Sequence, residues 1–349
     1  MPKRRRRSRV PVPAWERERG AIGRRVLGRS PQFYATAGVV VLVVAAIGVV
    51  AFGFGSNWLE DRNRPGSTAV QVEDIKYSVR YYTERLRQYI QEAGAAGAQI
   101  AQNPQIALEP VSNTLIEEAV IRQFAEEQGQ TVMEDEVKAQ IATMLALSGP
   151  DDPSFETKFR EELTSTGVTE EEYRDMARAA ALRTKLTAEF KRQVPATAEA
   201  IHYRQIIVSD QTAADAVQRQ ITDGADFAQV AGEKSLDTTA KENGGDGGWV
   251  PRGILETALE DTLFALEPGQ VTTYPTTQNV FVFQVIERQA DRPVEETQKD
   301  QISTTNLQDW LDEKRASVDA EGRLVNHMEL PGGDLDKIQY ALSRVQPTT

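Results

Sequence analysis

The sequence predicts an α+β protein in three structural parts: one transmembrane helix, an all-helical module and a compact α+β domain. Three observations lead to this prediction. Residues 33–54 carry no charge, apolar residues recur every three or four positions through most of residues 70–193, and short apolar strands alternate with helices from residue 201 onward. We place the boundaries at 1–32 for a basic arm, 33–55 for the transmembrane helix, 56–197 for the helical module, 198–290 for the α+β domain and 291–349 for a C-terminal helix and tail.

The charge of the chain is divided unevenly. The 349 residues have a net charge of −12, but residues 1–30 contain eleven Lys and Arg against two Glu, which makes that segment +9 and the remainder −21. An acidic remainder argues against nucleic acid as a partner. The chain has no cysteine and two histidines, which excludes disulfides and thiol nucleophiles and argues against a metal site built from these residues. We expect no metal ion and no cofactor.

The apolar segment from Phe33 to Phe54 is long enough to cross a membrane. A helix of these 22 residues spans about 33 Å, and the hydrocarbon core of a bilayer is about 30 Å thick. The basic arm before it predicts a cytoplasmic N-terminus, with the bulk of the chain outside the cytoplasm. A cleaved signal peptide is the alternative, but its apolar run is usually shorter and GSNWLEDR is a poor cleavage site. The sequence therefore predicts a single-pass protein of the cell membrane.

Amphipathic helices are predicted through residues 70–193. The first apolar stripe has spacings of 4, 3, 4 and 4 residues, which indicates one face of a helix. It consists of Ile75, Val79, Tyr82, Leu86 and Ile90. Similar stripes follow, and Thr169 with Glu172 has the spacing of a capping box. We expect four or five helices and no strand in this module.

The pattern changes at Val194-Pro195 and then predicts the order β-α-α-β-α-β-β. Strands are expected at 201–208, 249–250, 271–274 and 280–286, and helices at 210–224, around Phe227 and at 256–266. The helix after Pro293 is polar except for Leu307, Trp310 and Leu311. We therefore expect it to pack back on the helical module. The sequence of the tail after Gly322 indicates its structure only weakly.

The sequence of residues 198–290 resembles the parvulin (rotamase) family of peptidyl-prolyl isomerases. The resemblance is carried by DFAQVAGEKS, GGDGGW, FALEPGQV and a closing strand, in that order and spacing. The helical segment before it, with NTLIEEAVIRQFAEEQG and GVTEEEYRDMARAAALRTKL, is similar to the N-terminal chaperone module of SurA-like and PrsA-like foldases. A membrane anchor followed by these two parts is also the layout of PpiD-like proteins at bacterial export sites.

The resemblance implies catalysis of rotation about X-Pro bonds. Such catalysis needs an apolar cup for the proline ring and polar groups that favour the twisted amide. By position in the family pattern, Asp237 stands where a Cys or Asp faces the rotating carbonyl. Leu255 and Leu259 stand at the apolar pocket positions, and Glu256 stands where Gln is common.

The same comparison places three further residues in the site. Gln205 replaces the family histidine of the entry strand, and Phe281 replaces the histidine of the last strand. Thr277 falls at the family's Thr near the end of the penultimate strand. His202 is three residues before Gln205, so strand alternation sends it to the opposite face. We expect it to be exposed or locally bonded, and we expect Asp246 to form a turn.

Two functions follow from this pattern. The first is a peptidyl-prolyl isomerase that acts as a folding factor on unfolded or nascent exported polypeptides with X-Pro bonds, with the secretion translocon as a candidate partner. The second is a non-catalytic holdase chaperone or translocon-associated scaffold on a degenerate parvulin domain. The retained Asp237 and apolar pair favour the first, whereas Gln205 and Phe281 favour the second.

Overall fold

The computed structural model describes residues 63–345. The basic arm at 1–32 and the predicted transmembrane helix at 33–55 lie outside the described residues. Within residues 63–345 no helix is both long and apolar enough to cross a bilayer. Residues from Thr68 onward form one compact unit.

The N-terminal module begins with a β-hairpin, so the prediction of an all-helical segment at 70–193 is wrong at its start. Strand β1 is Thr68–Val72 and strand β2 is Ile75–Ser78. Glu73 makes the turn between them with a φ of 53°. A third strand, β7 at Leu324–Asn326, pairs with β1 on its other side. The order β2-β1-β7 joins the two ends of the described chain in one antiparallel sheet.

Six helices follow the hairpin and bury one side each. They are α1 at Val79–Glu92, α2 at Gly97–Gln102, α3 at Leu108–Phe124, α4 at Glu134–Met144, α5 at Phe155–Thr166 and α6 at Glu170–Gln193. The predicted capping box is confirmed, since Thr169 and Glu172 exchange side-chain and backbone hydrogen bonds at the start of α6. The predicted first stripe is divided, because Ile75 lies in β2 while Tyr82 and Leu86 are buried on α1.

The C-terminal residues complete the module. Helix α11 at Glu296–Ala320 buries Leu307, Trp310 and Leu311 in the same core as α1, α3 and α6. This confirms the prediction that it packs back on the module. The tail is also ordered, because helix α12 at Leu335–Val345 packs against α1 and buries Ile338.

The α+β domain lies between α6 and α11. Its elements are β3 at Thr197–Val208, α7 at Gln211–Thr222, α8 at Phe227–Lys234, α9 at Thr238–Asn243, β4 at Asp246–Pro251, α10 at Thr257–Phe264, β5 at Val271–Pro275 and β6 at Val280–Pro293. The predicted order is confirmed with one addition, the short helix α9.

The sheet of this domain is antiparallel throughout, in the order β4-β3-β6-β5. Strand alternation divides its apolar side chains between two faces. Helices α7 and α8 cover one face, where Ile206 and Val282 are buried. Helix α10 covers part of the other, where Phe283 and Leu263 are buried. The second face carries most of the residues that the sequence singled out.

Leu311→Ala should lower the free energy of unfolding by about 2–5 kcal/mol, because it leaves a cavity where α11 meets the module. Leu335→Ala removes the same atoms from a side chain that is 70% exposed, so we expect a loss below about 0.5 kcal/mol. Urea denaturation followed by circular dichroism measures both. Equal losses would contradict the packing of α11 in this core.

Candidate functional site

An aromatic floor lies on the sheet face that α10 covers in part. Phe281 and Phe283, two residues apart on β6, stack with ring centroids 5.5 Å apart and planes inclined by 6°. Tyr203 on β3 packs against Phe283 at 5.9 Å. Leu255 and Leu259 belong to the same apolar cluster. The structure thus brings together three of the predicted residues, Phe281 and the two leucines, around this floor.

Gln205 lies on the same face as the aromatic floor. It is the direct cross-strand partner of Phe283 in the β3–β6 pairing, and residues paired in this way point to one side of a sheet. Its backbone N–H donates to the carbonyl of Gly245 at 2.8 Å. Gly245 has a φ of 81°, and a Cβ there would lie 2.6 Å from the Gln205 carbonyl oxygen. Only glycine therefore fits this close approach.

Asp237 caps helix α9 at the edge of the site. Its carboxylate accepts hydrogen bonds from the backbone N–H groups of Thr239 and Ala240 at 3.1 and 3.2 Å. The preceding residues bind β3, since the Leu236 N–H donates to the Ile207 carbonyl at 2.7 Å. Ile207 in turn is the cross-strand partner of Phe281. Asp237 is therefore fixed at the start of α9 by a cap that the sequence did not predict, one residue after the backbone hydrogen bond to the strand partner of Phe281.

Glu256 and Tyr274 form a hydrogen-bonded pair at the rim of this cluster. The Tyr274 hydroxyl donates to the Glu256 carboxylate at 2.7 Å, and Tyr274 is the β5 partner of Phe281. The hydrogen bond lowers the pKa of Glu256 and raises the pKa of Tyr274. Both effects arise because the bond favours an ionised carboxylate and a neutral phenol.

Sequence reasoning missed Tyr274 and Phe283 as site residues. A signal for both was available in the two-residue period of the strands. Phe283 follows Phe281 at that period, and the short hairpin loop sets Tyr274 opposite Phe281. The resemblance to the parvulin family assigned neither Tyr274 nor Phe283 to the site.

Thr277 lies outside the sheet. The structure places it, exposed, in the turn between β5 and β6, two residues beyond the end of β5. The hydrogen bonds of that turn come from its neighbour, because the Thr276 hydroxyl and N–H both donate to the Asn279 carbonyl at 2.8 Å.

His202 is locally bonded, as predicted. Its Nε2 lies 2.7 Å from the Asp246 carboxylate, and its ring stacks on Trp249 with centroids 5.3 Å apart. Asp246 also accepts the N–H of Gly248 at 2.8 Å, but it is the first residue of β4, directly after the turn in which the sequence placed it. His202 therefore serves the local structure around β4.

The site offers an apolar surface with polar groups at its edge. Its floor is aromatic, two leucines lie beside it, and Tyr274 of the same cluster holds the Glu256 carboxylate at its edge. Among residues 63–345, no group of three or more His, Asp or Glu side chains is placed to hold a metal ion. A small antiparallel α+β domain with such a surface, carried by a helical module, defines a peptide-binding domain of the parvulin class.

Comparison with known families gives the same class for each part. The family described as "PPIC-type PPIASE domain" matches residues 185–289. The family described as "SurA-like N-terminal domain" matches residues 32–187. The chain therefore carries, in this order, a SurA-like N-terminal region and a PPIC-type PPIase region, and it is similar over part of its length to PrsA, PpiD and SurA proteins.

Individual relatives are distant and only partly covered. The foldase protein PrsA of Caldanaerobacter subterraneus is 28% identical over 184 residues, which are 49% of this chain and 53% of the relative. The periplasmic chaperone PpiD of Haemophilus influenzae is 42% identical over 69 residues, which are 20% of this chain and 11% of the relative. The crystal structure of PrsA from Bacillus anthracis is 17% identical, covers 67% of this chain and 97% of that chain, and has a TM-score of 0.37.

This chain spans about half the length of the curated PrsA relatives that it matches.

Tyr274→Phe should raise the pKa of Glu256 towards its ordinary value, because it removes the hydrogen bond that lowers it. A carboxylate whose pKa is lowered on folding contributes stability above its unfolded pKa, and that contribution is lost as the pH falls through the folded pKa. The stability difference between the two proteins should therefore disappear at acidic pH. Titration of the Glu256 carboxyl carbon by NMR measures the pKa in each, and equal values would disprove the pairing.

Proposed function

We propose that this chain is a membrane-anchored folding factor that acts outside the cytoplasm and catalyses cis-trans isomerisation of X-Pro bonds. The observation that carries the proposal is the stacked Phe281–Phe283 floor with Leu255 and Leu259 beside it. This surface lies within the residues that match the PPIC-type domain family. Its substrates are unfolded or nascent exported polypeptides.

Catalysis of rotation about an X-Pro bond requires few chemical groups from the protein. Amide resonance raises a barrier of about 18–20 kcal/mol to rotation of the X-Pro bond. In the twisted transition state the nitrogen lone pair is no longer delocalised, so it accepts a hydrogen bond that the planar amide does not. Gln205 carries an amide donor on the face of the aromatic floor. We assign it the role of stabilising the twisted amide, while the apolar floor holds the proline ring.

Asp237 and Glu256 have positioning roles in this proposal. Asp237 fixes the edge of the site through the cap of α9, next to the strand residue that pairs with Phe281. Glu256 fixes the rim through Tyr274. Thr277 lies on the exposed turn, where it can contact only the flanking part of a bound peptide.

The location of the protein follows from the segment before the described residues. Anchoring by the helix at 33–55 would place 56–349 outside the cytoplasm, in reach of polypeptides that leave the translocon. The module at 56–197 and the isomerase domain at 198–290 would then both face these polypeptides.

The full-length chain should accelerate isomerisation of short X-Pro peptides. Asp237→Ala should lower kcat/KM by up to about fivefold, because loss of the cap costs about 1 kcal/mol and loosens the site edge. Asp237→Asn, which retains capping ability, should remain within about twofold of the wild type. A protease-coupled assay over several X residues measures these rates. The absence of any acceleration by folded wild-type protein would rule out the isomerase proposal.

A second function is favoured by a groove on the helical module that is lined by both polar and exposed apolar side chains. Two clefts of about 390 and 440 Å³ share Gln105 and Leu330. Ile106, Leu330 and Leu335 line them and are 56%, 43% and 70% exposed, and these are three of the seven large apolar side chains exposed in residues 63–345. Exposed apolar clusters of this kind mark binding surfaces. We propose that this groove holds apolar segments of unfolded polypeptides, which is a holdase activity.

The double variant Ile106→Ser/Leu335→Ser should weaken suppression of client aggregation, because it removes the most exposed apolar side chains of the groove. The protein concentration that gives half-maximal protection should rise by about threefold or more. Met133→Ser/Met144→Ser changes two exposed apolar residues of α4 outside the groove and is the matched control. Light scattering of a denatured client measures protection. Equal effects of the two variants would argue against the groove.

A further inference from the structure

A small apolar core joins the helical module to the α+β domain. The chain enters the domain after Val194 and leaves it at Val294, and both side chains are buried against Ile302 of α11. Ala198 and Ile254 pack against the same three residues. Of these five residues, Ile254 belongs to the loop between β4 and α10.

Ile254 also contacts the candidate site. It packs against the cluster that contains Phe283 and Leu263, together with Leu255, the next residue in the chain. One side chain therefore connects the junction core with the apolar wall of the site.

Helix α11 approaches the backbone of this loop closely. A Cβ built on Gly253 would lie 3.5 Å from Cγ2 and 3.7 Å from Cγ1 of Ile302, which is van der Waals distance. Ile302 is 6% exposed, so it is enclosed by its neighbours. Because interiors are close-packed, a loss of volume at Ile302 is felt by the loop.

The start of the loop is fixed by polar contacts within the α+β domain. The Gly253 N–H donates to the Glu260 carboxylate at 2.6 Å, and Arg252 Nε donates to Glu199 at 2.7 Å. Ile254 follows and packs against the cluster that Ile302 forms with Val194 and Val294, while Ile302 itself lies against Gly253. The site residues Leu255 and Glu256 come directly after it, before α10 begins at Thr257. Their placement therefore depends on the contact with α11.

Helix α11 itself belongs to the module. Its 25 residues form one continuous helix, and Leu307 and Leu311, within three turns of Ile302, lie in the module core. Lys191 of α6 binds Glu296 and Asp300 at 2.7 and 2.5 Å. The segment that carries Ile302 is thus fixed to the module on both sides.

We propose that Ile302 is a positioning residue through which the helical module holds the loop 252–256 and sets the geometry of the proline-peptide site. The proposal rests on the proposed isomerase function. Peptide affinity of the α+β domain is then a property of the whole chain.

The test compares Ile302→Ala and Ile302→Val with the wild type in the full-length chain. Leu255 should lose its support in Ile302→Ala, so Kd and KM for an Ala-Ala-Pro-Phe peptide should rise by about threefold or more, with kcat changed less than about twofold. Ile302→Val removes only one methyl group, so it should retain most of the wild-type affinity for the peptide. The NMR methyl signals of Leu255 and Leu259 should shift in proportion.

Ile121→Ala is the matched control, because Ile121 is 2% exposed in the module core and its truncation leaves a similar cavity. It should lower Tm without changing the peptide Kd or the Leu255 signals. Unchanged Kd and Leu255 signals in folded Ile302→Ala, or equal changes in Ile121→Ala, would overturn the proposal. If Ile302→Ala does not fold, the Leu255 methyl signal decides: it should shift in Ile302→Val and not in Ile121→Val, and equal signals in the two variants would overturn the proposal.

The peptide Kd and the methyl signals keep the two proposals separate. If the wild type binds the peptide but isomerises no X-Pro bond, the isomerase function fails while the role of Ile302 is still decided by binding. If catalysis is present and Ile302→Ala leaves Kd, KM and the signals unchanged, only the positioning role fails.

Discussion

Burial of α11 against the N-terminal helices is the interaction on which the rest of the structure depends. Trp310 lies against Phe190 of α6 with ring centroids 6.2 Å apart, and Leu307 and Leu311 complete the contact. Because these residues come after the α+β domain, the module is assembled from chain segments on both sides of it. The pairing of β7 with β1 follows from the same return of the chain.

This closure determines how the α+β domain is held. Its first and last strands pair at their outer ends, where Thr197 lies opposite Pro293. Entry and exit are therefore adjacent, and both continue into helices of one core, α6 and α11. A domain attached by two neighbouring connections has less freedom than one on a single linker. This geometry explains how a side chain of the module, Ile302, comes to lie behind a site loop.

Local sequence patterns accounted for most helices and strands, because amphipathic helices and alternating strands leave a direct periodic signal. The exceptions are instructive. Ile75 continued a helical spacing, yet it lies in β2, since its strand pairs with β1, which is held on its other side by β7 from the far end of the chain. Helix α9 has six residues, and it depends on the Asp237 cap and on contacts with α8. Pairing between distant segments is invisible to a local pattern.

The sequence by itself determined the candidate site in outline. It marked the apolar pair Leu255 and Leu259 and the substitutions Gln205 and Phe281, because residue type and motif spacing are local properties. The tertiary structure decided what these residues contact. It placed Gln205 on the same sheet face as the aromatic floor and left Thr277 on an exposed turn. Strand register, helix caps and packing between distant segments fix these contacts, and each depends on residues far apart in the chain.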